Sequence, residues 1–224
     1  MGKNGVTSLK THSIKFSTGT VCKLLAGSKT QTRRLILVKD PMGIKSPITS
    51  PTEEILEFED GSFHYRSTAA LSGPYKCPYG NSGGLLWVRE AYRKRGSDDD
   101  CVQYRASTTD ADHNEASSGW LPWEFPNNMP RRLSRLTLHV ATIGAERLCS
   151  ISEEDARAEG YKDANAFLAG PWASLLRDGN PWVWKIKFTV LGMNVDTILK
   201  YFYANATTLQ NMHKLPLDMV CKSQ

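Results

Sequence analysis

The stretch WVWKIKFTV, residues 182–190, restricts the fold more than any other part of the chain. Trp182, Trp184, Ile186, Phe188 and Val190 alternate with Val183, Lys185, Lys187 and Thr189, and a period of two puts the large apolar set on one face of a β-strand. A face this apolar needs a sheet and a covering layer, so the chain cannot be all helical.

Other elements can be placed around this strand. Ile14 and Phe16 share a side of a short strand at 13–16. Ser17 or Thr18 then caps a helix whose buried face is Val21, Leu24 and Leu25, and Gly27 stops it. Lys29 follows at once, and 30–37 reads as a strand that grows apolar. Residues 39–84 are rich in Pro, Gly and Ser and carry one hairpin, EILEFED meeting SFHYRS through Asp60-Gly61. They read as an insertion, with too little apolar content for a core of their own.

LLWVREAY at 85–92 is a strand, and CVQYRAS at 101–107 is its expected partner across a charged loop. The prolines of GWLPWEFPNNMPRR exclude helix and central strand there. Alternation returns at 135–148. Ser152 followed by Asp155 resembles a capping box for the helix SEEDARAE, closed by Gly160, and a second helix is expected at 165–176. Strand, helix, several strands with long loops, helices, strand: this order predicts a mixed α+β protein, a small curled sheet or barrel with helices at its ends.

Nine lysines and arginines lie between Lys3 and Lys45 against the single acid Asp40, whereas 98–115 is acid-rich. The basic segment suits either a phosphate-bearing partner or a solvated face. Five separated cysteines without a C-x-x-C pair read as thiols of a reducing compartment, and neither a metal nor a cofactor is expected. His113 and His139 have no partner at metal or triad spacing and read as structural. Apolar runs fall well short of the roughly 20 residues that span a bilayer, and MGKNGVTSLK lacks an apolar leader segment. The expectation is a soluble, cytoplasmic protein that does not act at a membrane.

Five segments in order, GSKTQTRR, LLWVRE, MPRRLSR, SEEDARAEG and NPWVWKIKF, resemble the ASCH domain family of the PUA-like superfamily in its bacteriophage and prophage branch. The likeness covers roughly 14–190. It implies a domain at 13–191 folded as a PUA-like mixed β-barrel with flanking helices; the long inserted loops, with the insertion at about 39–84, and a C-terminal tail at 192–224 that can be helical are this chain's additions to the pattern. It also implies a cleft for a nucleobase or nucleoside. One small bacterial member of the family is an amidohydrolase acting on N4-acetylcytidine, and its catalytic lysine, threonine and glutamate fall by motif on Lys29, Thr32 and Glu159.

Amide hydrolysis requires an activated nucleophile, a base and donors for the oxyanion. A lysine is a base only when its surroundings lower its pKa, and a helix C-terminus before Lys29 favours the ammonium instead. Ideal alternation puts Lys29 and Thr32 on opposite faces, so a shared site requires Lys29 to belong to the turn. Thr30, Arg33, Arg34, Arg89, Arg131, Arg132 and Arg135 are the expected contacts to substrate or nucleic acid, and the last three read equally as ion pairs at a barrel rim. Trp87, Trp182 and Trp184 read as core, whereas Trp120 and Trp123 sit in an irregular loop that can line a cleft. The alternative to an enzyme is a non-catalytic module for RNA or single-stranded DNA. Ribonuclease activity ranks third, suggested only by other family members.

Overall fold

The computed structural model describes residues 10–39, 42–58, 60–67, 71–96, 101–108, 119–170 and 172–204. The acidic run at 98–100, the polar loop 109–118 with His113, and the tail after Ala204 lie outside them. The elements in the first part of the chain are β1 (Thr11–Lys15), α1 (Thr18–Leu25), β2 (Gln31–Leu35), β3 (Leu37–Lys39), β4 (Lys45–Pro47), β5 (Glu54–Glu57), β6 (Phe63–Arg66) and β7 (Leu71–Tyr75). Next come β8 (Leu85–Arg89), β9 (Tyr92–Lys94), β10 (Val102–Tyr104) and β11 (Thr137–Arg147). The last are α2 (Glu153–Ala158), α3 (Ala164–Ala169), α4 (Ala173–Leu176), β12 (Trp182–Leu191) and α5 (Val195–Ala204).

The chain divides into two compact units, one comprising Met1–Gly27, Gly83–His139 and Thr189–Gln224, the other Ser28–Ser82 and Val140–Phe188. The long strands β11 and β12 have residues in both.

In the first unit β8 is the central strand, parallel to β1 from Thr11↔Leu85 to Lys15↔Arg89 and antiparallel to β11 from Thr137↔Trp87 to His139↔Leu85. Helix α5 presents Val195, Ile198 and Phe202 at helical spacing to Leu85 and Leu191. Its first turn is held by Asn194, whose Oδ1 accepts from the Asp196 amide at 2.8 Å. Helix α1 buries Val21 and Leu24 and ends at Gly27, where φ is +68°. The expected strand at 85–92 is interrupted after Arg89, and β10 pairs with β9, not with the LLWVR segment.

In the second unit β2 runs antiparallel to β12 from Val183↔Leu35 to Lys187↔Gln31. The expected hairpin forms as β5 and β6, with Glu57 opposite Phe63 and β7 added to the same sheet. Phe63 meets the Trp184 ring edge-on at 4.8 Å, so the inserted strands share apolar packing with β12. Arg147 fixes the start of the insertion by donating to the carbonyls of Ser50 at 2.7 Å, Glu53 at 2.6 Å and Asn180 at 2.8 Å, with its guanidinium over Trp182. The single helix expected at 165–176 is two, α3 and α4. Between them stands Gly170-Pro171, and a proline has no amide hydrogen to continue a helix.

Among the described residues the expected PUA-like barrel is not formed. The strand order is β1-β8-β11 in the first unit and β11-β12-β2 in the second, and the other described strands form a three-stranded sheet and two ribbons. A barrel requires each strand to pair on both sides with matched tilt and stagger. Most strands here have only three to five residues, and Pro- and Gly-rich loops divide them into separate open sheets. The α+β class stands without the closure. No helix among the described residues is long and apolar enough to cross a membrane.

Candidate functional site

Lys29, Thr30, Thr32, Arg33, Arg34 and Glu159 belong to the second unit, whereas Arg89, expected to flank the same pocket, belongs to the first. Lys29 and Glu159 meet where β2 begins and α2 ends. Ser152 Oγ accepts from the Asp155 amide at 3.1 Å, which starts α2, and Gly160 at φ +81° stops it just after Glu159. The last carbonyls of a helix have no partner within it. Here the Thr30 amide donates to Ala158 O at 2.9 Å and Lys29 Nζ to Glu159 O at 3.1 Å. Lys29 Nζ also lies 2.5 Å from Glu159 Oε2. Two residues 130 apart in sequence are therefore joined twice, and their side chains are only 5% and 3% exposed.

Arg33 extends the pair into a network. Its guanidinium, with no exposed surface, donates to Glu159 Oε1 at 3.2 Å, to Asp155 Oδ2 at 2.7 Å and to Glu146. Lys185, directly opposite Arg33 in the β2–β12 register, reaches Glu146 at 2.6 Å and Asp155 at 3.2 Å. Two cations facing each other across a ladder repel. The carboxylates of β11 and α2 turn that repulsion into attraction. Gln31, with its amide oriented to suit its neighbours, donates to Asp155 Oδ1 at 3.1 Å and accepts from Arg33 Nη1 at 2.7 Å.

The electrostatics differ between Asp155 in the first turn of α2 and Glu159 at its end. Burial raises the Glu159 carboxyl above its ordinary value, and the opposing pull of Lys29 and Arg33 does not cancel it. Burial acts the same way on Asp155, but hydrogen bonds from Lys185 and Arg33 outweigh it and hold that acid below its ordinary value. Lys185 is held above its own value because Glu146 and Asp155 overcome its desolvation. Burial pulls the Arg34 guanidinium down, against the raising effect of Tyr79 and Glu159.

Thr32 is buried on β2 opposite Ile186. Strand alternation turns it to the pleat opposite Gln31 and Arg33, the same pleat as Arg34 and its partner Trp184. The structure thus joins Lys29 and Glu159 directly and sets Thr32 on the pleat of β2 opposite Gln31 and Arg33. Thr30 is exposed and borders a recess of about 220 Å³ whose walls include Gln31, Glu154, Asp155, Lys187 and Phe188. That is below the roughly 300–1,000 Å³ of most small-molecule sites, and Lys29 and Glu159 do not line it.

The remaining expected contacts, Arg89, Arg131, Arg132 and Arg135, belong to the first unit. Arg135 holds the buried Glu90 carboxylate with two bonds of 2.9 Å and lies over the Tyr104 ring. Arg131 bonds Asp196 and Thr11, both at 2.6 Å. Arg89 stands 5.6 Å from the Trp87 ring centre, and Arg132 is exposed. His139 is half-buried, and that burial lowers its pKa. Among the described residues no three His, Cys, Asp or Glu side chains gather as a metal set would.

Sequence reasoning missed Glu146, Asp155 and Lys185. Lys185 was legible as one of two cations on the polar face of β12, but only the register places it against Arg33. Comparison with protein-family models, curated proteins and solved structures finds no match to this chain.

Proposed function

We propose that this is a nucleic-acid-related protein of the ASCH kind that takes a modified nucleobase or nucleoside, and that Lys29 and Glu159 carry protons in hydrolysis of an N4-acylated cytidine. The barrel is no part of this reading. Its support is the Lys29–Glu159 pair at 2.5 Å, formed between the two segments from which the resemblance draws its catalytic lysine and glutamate.

The pair suits acid–base work. In the resting state Lys29 donates twice to Glu159, once to its carbonyl and once to its carboxylate. The raised carboxyl of Glu159 is a ready acceptor, and moving one proton from Lys29 to Glu159 frees the lysine lone pair as a base. The base takes the proton of the attacking hydroxyl as the new bond forms at the acyl carbon. The leaving cytosine amine takes the proton held by Glu159 as the amide bond breaks, and water, deprotonated in turn by the Lys29–Glu159 pair, cleaves the Thr32 acyl ester to release acetate. Thr32 is the nucleophile in this scheme, and its pleat makes it the residue most in need of a test.

The experiment is release of acetate from N4-acetylcytidine by the parent and by Glu159→Gln, Lys29→Ala and Thr32→Val. Loss of turnover in the first two variants, with folded circular dichroism spectra, is the expected result. Hydrolysis by folded Lys29→Ala at the parental rate sinks the reading. Activity retained only by Thr32→Val transfers the nucleophile to water.

A further inference from the structure

In the first unit, the segment from Gly119 to Phe125 lies along the β9–β10 ribbon. It is pinned by backbone bonds: Leu121 N to Lys94 O at 2.8 Å, Glu124 N to Tyr92 O at 2.7 Å, with Arg95 opposite Trp120 as a bridge. Pro122 and Pro126 stiffen the segment. Its side chains form stacked planes. The Arg93 guanidinium lies 5.2 Å from the Trp120 ring centre and 4.5 Å from that of Trp123, and Arg105 lies 5.7 Å from Trp123. Gln103 Oε1 accepts from Arg93 Nε at 2.6 Å and fixes the central plane.

Around this rigid stack the surface is both apolar and cationic. Phe125 is 75% exposed and Leu121 46%. Arg95 and Arg105 are exposed at the ribbon. Among the described residues 92–96, 101–107 and 119–128, the cations are Arg93, Lys94, Arg95 and Arg105, and Glu124 is the single acid. The acidic run at 98–100 between the strands lies outside the described residues.

We infer that this face binds single-stranded nucleic acid, with bases stacking on Phe125 and the tryptophan edge and phosphates meeting Arg95 and Arg105. A single strand supplies, nucleotide by nucleotide, the two things this face calls for: a flat apolar ring and a negative charge. A bilayer is the weaker fit, because only two exposed apolar side chains are present and the pinned loop holds them fixed. The inference does not rest on the Lys29–Glu159 chemistry.

The test uses fluorescein-labelled U20 and dT20, with anisotropy at 50 and 200 mM KCl and intrinsic tryptophan fluorescence. The parent should bind with quenching. Two phosphate contacts give a slope near −1.4 on a log–log plot for single strands, a weakening of roughly 7-fold over that salt range. Phe125→Ala should weaken binding at least about fivefold, since a stacked base contributes about 1–3 kcal/mol. Arg105→Ala should flatten the slope by about 0.7. Both side chains are exposed, so the melting temperature should not move. The inference is overturned if U20 and dT20 do not bind, if both variants bind like the parent, or if Phe125→Ala instead abolishes sedimentation with phosphatidylserine vesicles. Acetylcytidine turnover by Phe125→Ala should equal the parent's, so failure here and failure of the hydrolase reading are separately visible.

Discussion

Replacing Lys29 by Met keeps most of the side-chain volume and removes only the ammonium. Glu159 then remains 3% exposed with Arg33 at 3.2 Å as its cationic partner, and the Glu159 carbonyl at the end of α2 loses its donor. Removing one member of a buried ion pair costs about 3–5 kcal/mol, a large share of the 5–15 kcal/mol that holds a typical domain. The cost depends on pH. Glu159 in the folded protein lies above its ordinary value, so the folded state keeps a proton that the unfolded state releases. Its contribution is therefore most favourable below the ordinary glutamate range and declines as pH rises toward the folded value. Lys29 pulls Glu159 down, so the Met variant pushes it further up and widens that window. Each unit of widening is about 1.4 kcal/mol. Urea unfolding at pH 8 should show a midpoint lowered by roughly 1 M or more at m near 3 kcal/mol/M, and at pH 5.5 much of the loss should be recovered. A deficit under about 1 kcal/mol, or one equal at both pH values, would refute the argument from a buried, lysine-held carboxylate.

Asp155 has the opposite sign: its folded value is depressed, so its contribution is present above the ordinary aspartate range and lost as pH falls through the folded value. Asp155→Asn should flatten the acid limb of a pH–stability curve measured between pH 2 and 5. Arg33→Lys keeps a charge but not the fork that holds Glu146, Asp155 and Glu159, and should lower stability by about 3 kcal/mol or more in urea unfolding. Phe202→Ala opens the packing of α5 and should cost about 3–5 kcal/mol, read as lost helicity and a lower melting temperature. Cys22, Cys101 and Cys149 are exposed and should react promptly with a thiol reagent in native protein, whereas Cys77, buried with its thiol pushed up to about 12, should react only on unfolding.

Local signals carried much of the secondary structure. Gly27 and Gly160 stop their helices at left-handed positions, Ser152 caps α2, and the alternation of 182–190 becomes β12. Where the sequence misled, a neighbour decided. CVQYRAS pairs with Tyr92–Lys94 because the preceding strand breaks after Arg89, and Gly170-Pro171 divides one expected helix into two. Barrel closure failed because it depends on how every strand pairs on both sides, and no single segment encodes that.

Chain chemistry alone determined that Lys29 follows a helix stop, that Glu159 ends a capped helix, and that the protein mixes strands with short helices. These follow from φ at glycine, from caps and from side-chain period, all interactions within a few residues. Only the tertiary structure decided that Lys29 and Glu159 meet, that Arg33 is locked among three carboxylates, and that Arg131 and Arg135 already hold acids. Those outcomes depend on strand register and burial. A shift of one residue in β2 would exchange the faces of Thr32 and Arg33, and burial sets what each charge must find as a partner.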